Sequence, residues 1–194
     1  MTSCRPIGPW LRRPVHLLAA LLLAALTCGA GSARAEPAAL QPIARLDVPR
    51  YLGTWYEVAK FPNWFQRKCA EQTQAQYRLQ DAGQIAVINS CRRADGTVIQ
   101  AQGLARQIGA ADSPRLQVRF APAWLSFLPV VWGDYWVIDL DEAYQLAAVS
   151  EPRRAYLWIL SRTPQPDPQR YQALLERLKA SGFDLSALER TPQR

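Results

Sequence analysis

This chain of 194 residues contains one histidine, His16, and one methionine, Met1. Both lie within residues 1–35, a segment with the three-part layout of a cleavable secretory signal. Without that segment the chain has no histidine for a Ser-His or Cys-His dyad, and it lacks the commonest ligand of transition metals. A haem or metal carrier would depend on tyrosine or cysteine ligands. We therefore expect no metal and no other cofactor.

The proposed signal has a basic start, an apolar run over residues 15–26 and a small-residue end, Ala33-Arg34-Ala35. Its first basic residues are Arg5, Arg12 and Arg13. The apolar run is short for a membrane-spanning helix, which needs about 20 residues. Cleavage after Ala35 is the first interpretation. An uncleaved anchor and lipidation at Cys28 are the alternatives, and the threonine before Cys28 stands where a lipoprotein signal prefers a smaller residue.

Positive charge is modest once the signal is set aside. Residues 1–35 hold four of the 23 Lys and Arg residues and none of the 16 Asp and Glu residues, which leaves 19 positive and 16 negative side chains, a net charge of +3. The remaining basic residues occur as scattered pairs, such as Arg67-Lys68, Arg92-Arg93 and Arg153-Arg154. This pattern lacks the concentrated basic patch of nucleic-acid-binding proteins, so we expect no nucleic-acid partner.

Short β-rich runs separated by turn residues occupy most of residues 54–162. The predicted strands are Thr54–Lys60, Glu71–Gln80, Gln84–Arg93, Thr97–Gln107, Arg115–Phe120, Asp134–Leu140, Gln145–Val149 and Tyr156–Arg162. Eight strands at this spacing predict an all-β fold, either an antiparallel barrel or a sandwich. The turns Asp81-Ala82-Gly83 and Asp95-Gly96 favour consecutive hairpins. In the second strand, Ala75 and Tyr77 share an apolar face while glutamines occupy the other, so one face meets water.

One segment has the pattern of an amphipathic helix. Asp167 can cap it and Pro168 fits its first position. Apolar residues then recur at helical spacing at Tyr171, Leu174, Leu175 and Leu178. Ser181-Gly182 predicts its end. We expect this helix to pack its apolar stripe on the outside of the β-structure, as part of the scaffold.

Three motifs resemble the lipocalin family. Gly53-Thr54-Trp55 on the first strand resembles the Gly-x-Trp signature of lipocalins, and the last strand, ending at Arg162, resembles the closing element of the family. Residues 134–141, followed by Tyr144, resemble the branch that contains bacterial lipocalins and apolipoprotein D. The resemblance covers about residues 45–193. It implies one domain, residues 36–194, built as an eight-stranded antiparallel up-and-down β-barrel with one C-terminal α-helix packed outside.

The resemblance also implies how one end of the barrel is closed. Gly53, Trp55 and Arg162 would form the closing cluster, with the guanidinium stacked on the indole face, an interaction worth on the order of 1 to 2 kcal/mol when shielded from water. An arginine held in this way is not available to bind an anionic ligand.

A barrel of this kind implies a cavity for one small apolar ligand, such as a fatty acid or lysophospholipid, stored or transported in the bacterial cell envelope. We expect an exported protein of the periplasm, with association with the outer membrane left open. The inward-facing lining candidates are Ala75, Tyr77, Val87, Asn89, Val118, Phe120, Tyr135, Val137, Trp158 and Leu160. Among them Tyr77, Asn89 and Tyr135 would hydrogen-bond a head group near the mouth. The alternative for each candidate is a place in a closed core.

The connections after strands one, five and seven would gather at the open mouth of the barrel. They contain aromatic and apolar residues that a membrane interface or a partner surface favours: Trp64, Phe65, Trp124, Leu125, Phe127, Leu128 and Trp132. We expect these loops to contact a phospholipid surface or a partner. A self-packed loop or a dimer contact explains the same residues, so monomer and homodimer both remain open.

Two cysteines, Cys69 and Cys91, lie outside the signal, whereas Cys4 and Cys28 lie within it. In the hairpin that turns at 81–83, Thr73 lies opposite Cys91, so a regular ladder leaves Cys69 too far away for a bridge. Pairing therefore requires Cys69 to lie in a loop that folds back. The resemblance and the export signal both favour this disulfide.

The alternative to a binding protein is an enzyme or isomerase acting on an apolar substrate in the barrel. Glu57 and Asp139 lie in predicted strands and are candidate bases, but neither belongs to a paired-carboxylate motif or accompanies an activated nucleophile. Carboxylates in strands are commonly matched by a neighbouring arginine or tyrosine. A free, reactive Cys69 would favour the isomerase. We predict a binding protein and no enzyme.

Overall fold

The computed structural model describes residues 38–194, so the proposed signal and Cys28 lie outside the described residues. The architecture is an antiparallel β-barrel with a C-terminal helix. Its strands are β1 (Gly53–Lys60), β2 (Glu71–Leu79), β3 (Ile85–Arg92), β4 (Val98–Gln107), β5 (Arg115–Arg119), β6 (Gly133–Leu140), β7 (Leu146–Ser150), β8 (Leu157–Ser161) and β9 (Glu189–Arg190). Neighbours in the sheet follow the order β2-β3-β4-β5-β6-β7-β8-β1-β9, and additional pairing of β1 with β2 closes the barrel.

The helices are α1 (Val48–Tyr51) and α2 (Pro168–Ala180). Single 3-10 turns occur at Trp64–Gln66, Asp81–Gly83, Ala123–Leu125, Pro129–Val131 and Leu185–Ala187. The barrel prediction is confirmed and the sandwich alternative is wrong, because β1 pairs with both β2 and β8. Each of the eight predicted strands matches an observed one, with ends that differ by no more than one residue. The sequence did not predict α1 or β9.

Two apolar cores lie on opposite sides of the barrel wall. The inner core fills part of the lumen and includes Trp55, Val87, Val137 and Val149. The outer core lies between the wall and α2, and it includes Ile159. Strands near the helix are covered on both faces, which is why all five residues of β7 are buried.

Helix α2 forms as the sequence predicts. The Asp167 side chain accepts a hydrogen bond from the backbone N–H of Arg170 at 2.9 Å, which caps the helix, and Pro168 begins it. Tyr171, Leu174 and Leu178 are buried in the outer core. On the other side of the helix, Arg177 donates two hydrogen bonds to the Asp139 carboxylate of β6, at 2.7 and 2.9 Å. The helix is therefore scaffold.

The C-terminal segment completes the wall where β1 and β2 separate. Direct pairing of β1 with β2 covers residues 53–56 and 74–77. Beyond this stretch, β9 pairs with β1, and the N–H of Gln72 donates to the carbonyl of Pro192 at 2.8 Å. The Gln193 amide then donates to the carbonyls of Glu57 and Thr73, at 2.8 and 2.9 Å. Residues 189–193 thus fill the seam between the two strands.

Cys69 and Cys91 form a disulfide with their Cα atoms 5.5 Å apart. Cys69 lies in the loop before β2, as pairing requires. The ladder is irregular between Glu71 and Gln74, and Gln72 has a positive φ of 55°. This irregularity brings Glu71 opposite Arg92 and draws the loop towards β3, where Ala70 donates a backbone hydrogen bond to Arg92 at 2.8 Å.

Candidate ligand-binding site

The two ends of the barrel differ in how they are covered. At one end lie α1 and the connections β2–β3, β4–β5 and β6–β7, and we call the lumen next to them the closed half. At the other end lie the connections β1–β2, β3–β4, β5–β6 and β7–β8, and we call the lumen next to them the open half. This alternation follows from consecutive antiparallel hairpins.

The closed end is built on Arg162 and Trp55. The guanidinium carbon lies 3.9 Å from the centroid of the indole, which is fully buried. Arg162 also donates to the carbonyls of Thr54, Arg50 and Tyr144 at 2.9, 2.7 and 3.3 Å. A side chain at Gly53 would need a strained φ of +93° and would place its Cβ 3.3 Å from the guanidinium, so glycine fits this position. Arg162 is therefore fully engaged in closing the barrel.

Three tyrosines fill the closed half above this cluster. The Tyr135 hydroxyl lies 2.9 Å from the hydroxyls of both Tyr51 and Tyr77. Burial raises the pKa of Tyr77 to about 12 and raises those of Tyr51 and Tyr135 well above their ordinary range. The hydroxyls satisfy one another far from the mouth, since Tyr77 pairs with Gly53 at the start of β1. Tyr77 and Tyr135, which we expected near the mouth as partners of a head group, therefore lie in the closed half instead.

The open half keeps accessible surface on its inner wall. Asn89 of β3 pairs with Ala101 of β4, so both share the inward face with buried Val87. Ala101 is nevertheless exposed and Asn89 is half-buried. Phe120, at the end of β5, is 42% exposed, and its ring lies over Gly103, where an added Cβ would come within 2.8 Å of ring carbons. Gly103 thus makes room for the Phe120 ring, while Ala101 leaves its part of the inner wall exposed.

The ten lining candidates divide by depth. Ala75, Tyr77, Val87, Val137 and Leu160 are buried in the inner core, and Val118, Tyr135 and Trp158 pack against it partly buried. Among the ten, Phe120 is exposed and Asn89 is half-buried, as are Val118, Tyr135 and Trp158. The structure therefore brings the candidates to one lumen but gives most of them a packing role.

A polar network lies at the edge of the mouth, on β1 and β8. Glu57 is buried, and its carboxyl oxygens accept hydrogen bonds from the Gln66 amide at 2.6 Å and the Thr191 hydroxyl at 2.7 Å. The Gln66 oxygen accepts from the indole N–H of Trp158 at 3.0 Å and from the Asn63 amide. Burial raises the pKa of Glu57, and these hydrogen bonds oppose that rise.

This network limits the catalytic alternative. Asp139 is paired with Arg177, as is common for strand carboxylates, whereas Glu57 is matched by an amide and a hydroxyl instead of the expected arginine or tyrosine. The hydroxyl that Glu57 binds, that of Thr191, lies in the C-terminal segment that fills the seam between β1 and β2. Glu57 thus ties the β1–β2 loop and the C-terminal segment to the barrel.

Several aromatic side chains at the mouth are exposed. Trp124 is 72% exposed and Phe127 is 74% exposed. Val130, in the same loop, is 88% exposed. Leu125 and Leu128 of the same loop are half-buried. In the β1–β2 loop, Trp64 is exposed and Phe65 lies against Trp158 with ring centroids 6.2 Å apart.

Trp132 differs from its predicted surface role. Its ring lies on the outer wall of the barrel, with the guanidinium carbons of Arg106 and Arg119 at 3.9 and 5.3 Å from the centroid. The indole N–H donates to the Ser126 carbonyl at 2.8 Å. Trp132 is therefore held by cation–π contacts and anchors the apolar loop, residues 121–132, to the wall.

Sequence reasoning missed several residues of the open half. Gln66 and Thr191 come from segments far apart in sequence, and only the folded chain brings them to Glu57. Ala101 and Gly103 carry no chemical signal of their own; a run of small residues alternating along β4 was the available indication. A surface groove of about 400 Å³ lies elsewhere, on the outer wall beside Gln74, Arg92 and Gln193.

Two further findings concern residues 38–194. No cluster of three or more His, Cys, Asp or Glu side chains there is arranged to hold a metal ion. None of the helices in this range has the length and apolar character needed to cross a membrane.

Known proteins resemble this chain over most of its length. It is 40% identical to temperature-induced lipocalin-1 of Arabidopsis thaliana over 81% of this chain and 85% of the relative, and 39% identical to the outer membrane lipoprotein Blc of Escherichia coli K12 over 87% and 92%. Mouse apolipoprotein D is 32% identical over 76% and 77%.

Solved structures share the fold at low identity. Insecticyanin from the tobacco hornworm superposes with a TM-score of 0.62 at 19% identity, covering 80% of this chain and 85% of that one. Apocrustacyanin C1 gives 0.59 at 15% identity, covering 76% and 80%. Residues 46–193 match the family described as the lipocalin-like domain. The chain therefore belongs to the lipocalin family, in the branch that includes Blc, apolipoprotein D and temperature-induced lipocalin.

Proposed function

We propose that this lipocalin binds one lipid, such as a fatty acid or lysophospholipid, in the open half of its barrel, and stores or transports it in the bacterial cell envelope. The observation that carries the proposal is the contrast between the two halves of the lumen. Tyr51, Tyr77 and Tyr135 fill the closed half, whereas Ala101 and Phe120 keep accessible apolar surface on the inner wall of the open half. The open half is therefore a cavity with an apolar wall, and the three tyrosines close its inner end.

Such a cavity can hold an acyl chain without directional contacts. Each buried methylene contributes about 0.8 kcal/mol. A long chain therefore reaches roughly micromolar affinity or better after the cost of association is subtracted. The carboxylates described above are engaged in structural contacts, which favours binding over catalysis as the role of the lumen.

The cellular location rests on different observations. Residues 1–35 have the layout of a secretory signal, and a relative 39% identical is an outer membrane lipoprotein. The disulfide between Cys69 and Cys91 suits an oxidising compartment. We place the protein in the periplasm, with cleavage after Ala35 as the first route and lipidation of Cys28 at the outer membrane as the second.

The apolar loop supports a second part of the proposal, docking of the mouth on a phospholipid surface. Trp124, Phe127 and Val130 project from this loop with most of their side chains exposed. Arg106 and Arg119 lie at its base, on the ring of Trp132. Aromatic residues beside positive charge are typical of a membrane interface that carries anionic lipid. A docked mouth would let the ligand pass directly between bilayer and lumen.

Ligand binding is tested by blocking the open half. Isothermal titration of the purified protein with hexadecanoate should give one site for the wild type. Ala101→Trp places a large ring on the inner wall and should abolish binding. The matched control is Gln102→Trp, the next residue on the outer face of the same strand, which should bind like the wild type. Equal binding by both variants would show that the ligand does not bind in the lumen.

Membrane docking is tested by flotation with vesicles of phosphatidylethanolamine and phosphatidylglycerol. The wild type should float, and the double variant Trp124→Ser, Phe127→Ser should not. The control replaces two exposed apolar residues at the closed end, Leu79→Ser and Ile108→Ser, and should float normally. If all three proteins float equally, the membrane proposal is wrong. If none floats and only the Trp124 and Phe127 variant changes a dimer into a monomer, the loop is a dimer contact.

A further inference from the structure

Two polar atoms on the inner wall of the open half are buried without a hydrogen-bond partner among residues 38–194. They are the hydroxyl of Thr73 on β2 and the side-chain carbonyl of Asn89 on β3. Thr73 is 7% exposed. Leaving such a group unsatisfied is unfavourable, so two of them on the inner face of neighbouring strands indicate a site for a polar partner.

The strand register places these atoms on one patch of wall. Ala75 of β2 pairs with Asn89, which in turn pairs with Ala101 of β4. The two alanines flank the amide with short side chains. Thr73 is two residues from Ala75 on the same buried face of β2, within the irregular stretch between Glu71 and Gln74, and it lies diagonally from Asn89 along the sheet.

Glu57 borders the same patch. The Gln193 amide bridges the carbonyls of Glu57 and Thr73, so these residues lie across the seam from each other. Both oxygens of the Glu57 carboxyl are already engaged, by Gln66 and Thr191. Glu57 therefore adds acidic character to the patch without offering an unused donor.

The chemistry of the unsatisfied atoms defines the partner. A carbonyl oxygen only accepts a hydrogen bond, whereas a hydroxyl can donate or accept. An alcohol group of a ligand can donate to Asn89 and accept from Thr73. An ionised carboxylate can accept from Thr73 but has no proton to donate to the buried carbonyl oxygen of Asn89, and it would also bring a second acidic group close to Glu57.

We propose, on the basis of the lipid-binding function above, that Thr73 and Asn89 form a hydroxyl-binding subsite, so that the lumen prefers an apolar chain ending in a neutral hydroxyl over the same chain ending in a carboxylate. The ligand class is thus that of long-chain alcohols and acylglycerols. The hydroxyl end lies against β2 and β3, and the chain extends along Ala101 and Phe120. The preference should be about tenfold in Kd, the effect of roughly one satisfied buried hydrogen bond.

The test compares dodecan-1-ol, 1-monolauroylglycerol and dodecanoate by titration calorimetry at pH 8. The wild type should bind both hydroxyl ligands about tenfold more tightly than dodecanoate. Asn89→Leu, which keeps the side-chain size, should lose this preference while binding dodecanoate as before, and Thr73→Val should weaken the binding of all three ligands. The control, Ser90→Ala, changes a polar residue next to Asn89 in sequence on the outer face and should keep the preference.

The outcomes separate this proposal from the one it rests on. Equal affinity for the three ligands in the wild type, unaffected by either substitution, would overturn the hydroxyl subsite and leave lipid binding intact; the two atoms would then be satisfied by water. Failure of the wild type to bind any of the three would overturn both proposals. If Thr73→Val does not fold, by near-ultraviolet circular dichroism, Asn89→Leu decides the result alone.

Discussion

Replacing Arg162 with alanine tests whether this residue closes the barrel or binds ligand. The substitution removes a guanidinium stacked 3.9 Å from the Trp55 ring centroid and hydrogen bonds to three backbone carbonyls. Stacking of this kind is worth about 1–2 kcal/mol. The carbonyls lie at the barrel end, where water can replace part of what they lose, so they add about 1–2 kcal/mol.

The expected loss in the free energy of unfolding is therefore about 3 kcal/mol. For a domain of this size, each kcal/mol lowers the melting temperature by about 2–4 °C, which gives a fall of about 6–12 °C. Thermal unfolding followed by circular dichroism, with the disulfide intact, measures it. The matched control is Arg78→Ala. Arg78 is an exposed arginine on β2 whose side chain donates to the Gln76 side chain, and the melting temperature of this variant should hardly change.

Ligand affinity provides the second half of this test. Tyr51, Tyr77 and Tyr135 separate Arg162 from the open half, so the folded variant should bind lipid with nearly wild-type affinity at low temperature. An unchanged melting temperature combined with lost binding of an anionic lipid would refute the closing role and assign Arg162 to a head-group site.

Three further predictions concern the buried polar groups and the disulfide. Tyr135→Phe leaves two buried hydroxyls without their partner and should lower the free energy of unfolding by about 2 kcal/mol, whereas Tyr56→Phe on the outer face should not; urea unfolding measures both. Reducing the Cys69–Cys91 bridge, which spans 22 residues, should cost about 3 kcal/mol, and the melt of a Cys69→Ser, Cys91→Ser variant should be insensitive to dithiothreitol. Because burial raises the folded-state pKa of Glu57, the stability from this group is full below its ordinary value of 4.5 and is lost as the pH rises through the folded pKa. Glu57→Gln should therefore flatten the decline in unfolding free energy above pH 4.5; an identical pH profile in wild type and variant would contradict the assignment.

The strands and α2 could be predicted because their information is local. Alternation along β2 and helical spacing from Tyr171 to Leu178 each reflect burial of one face, and the turn glycines mark where strands end. The closing pair of Trp55 and Arg162 could be predicted only from the family resemblance. The two residues are far apart in sequence, so no local pattern connects them.

Alternation of apolar and polar residues could not predict the height of a residue along the barrel axis or the positions of β-bulges. Alternation assigns Tyr77 and Tyr135 to the inner face but not to a height within it, and their height decides whether a hydroxyl meets a ligand or another tyrosine. In β1 the ladder shifts between Glu57 and Ala59, so Lys60 pairs with inward-facing Trp158 while Ala59 joins the outer core. Simple alternation from Trp55 would reverse these two residues.

The sequence also gave no indication of the polar contacts between residues that are far apart in the chain. Strand β9 has two residues and no pattern of its own, and it forms because β1 and β2 leave a seam that the chain end can fill. Gln66, Thr191 and Gln193 are ordinary surface residue types. Their roles arise from the positions at which the loop and the C-terminal segment meet the wall.

Native mass spectrometry of the protein purified from its own host tests the central claim, that the open half of the lumen holds one lipid. The wild type should carry one added mass that is released on denaturation and recovered as a lipid by extraction, and Gln102→Trp should carry the same mass. Ala101→Trp should carry none. A wild type with no lipid bound, or an Ala101→Trp variant that retains it, would contradict the proposal.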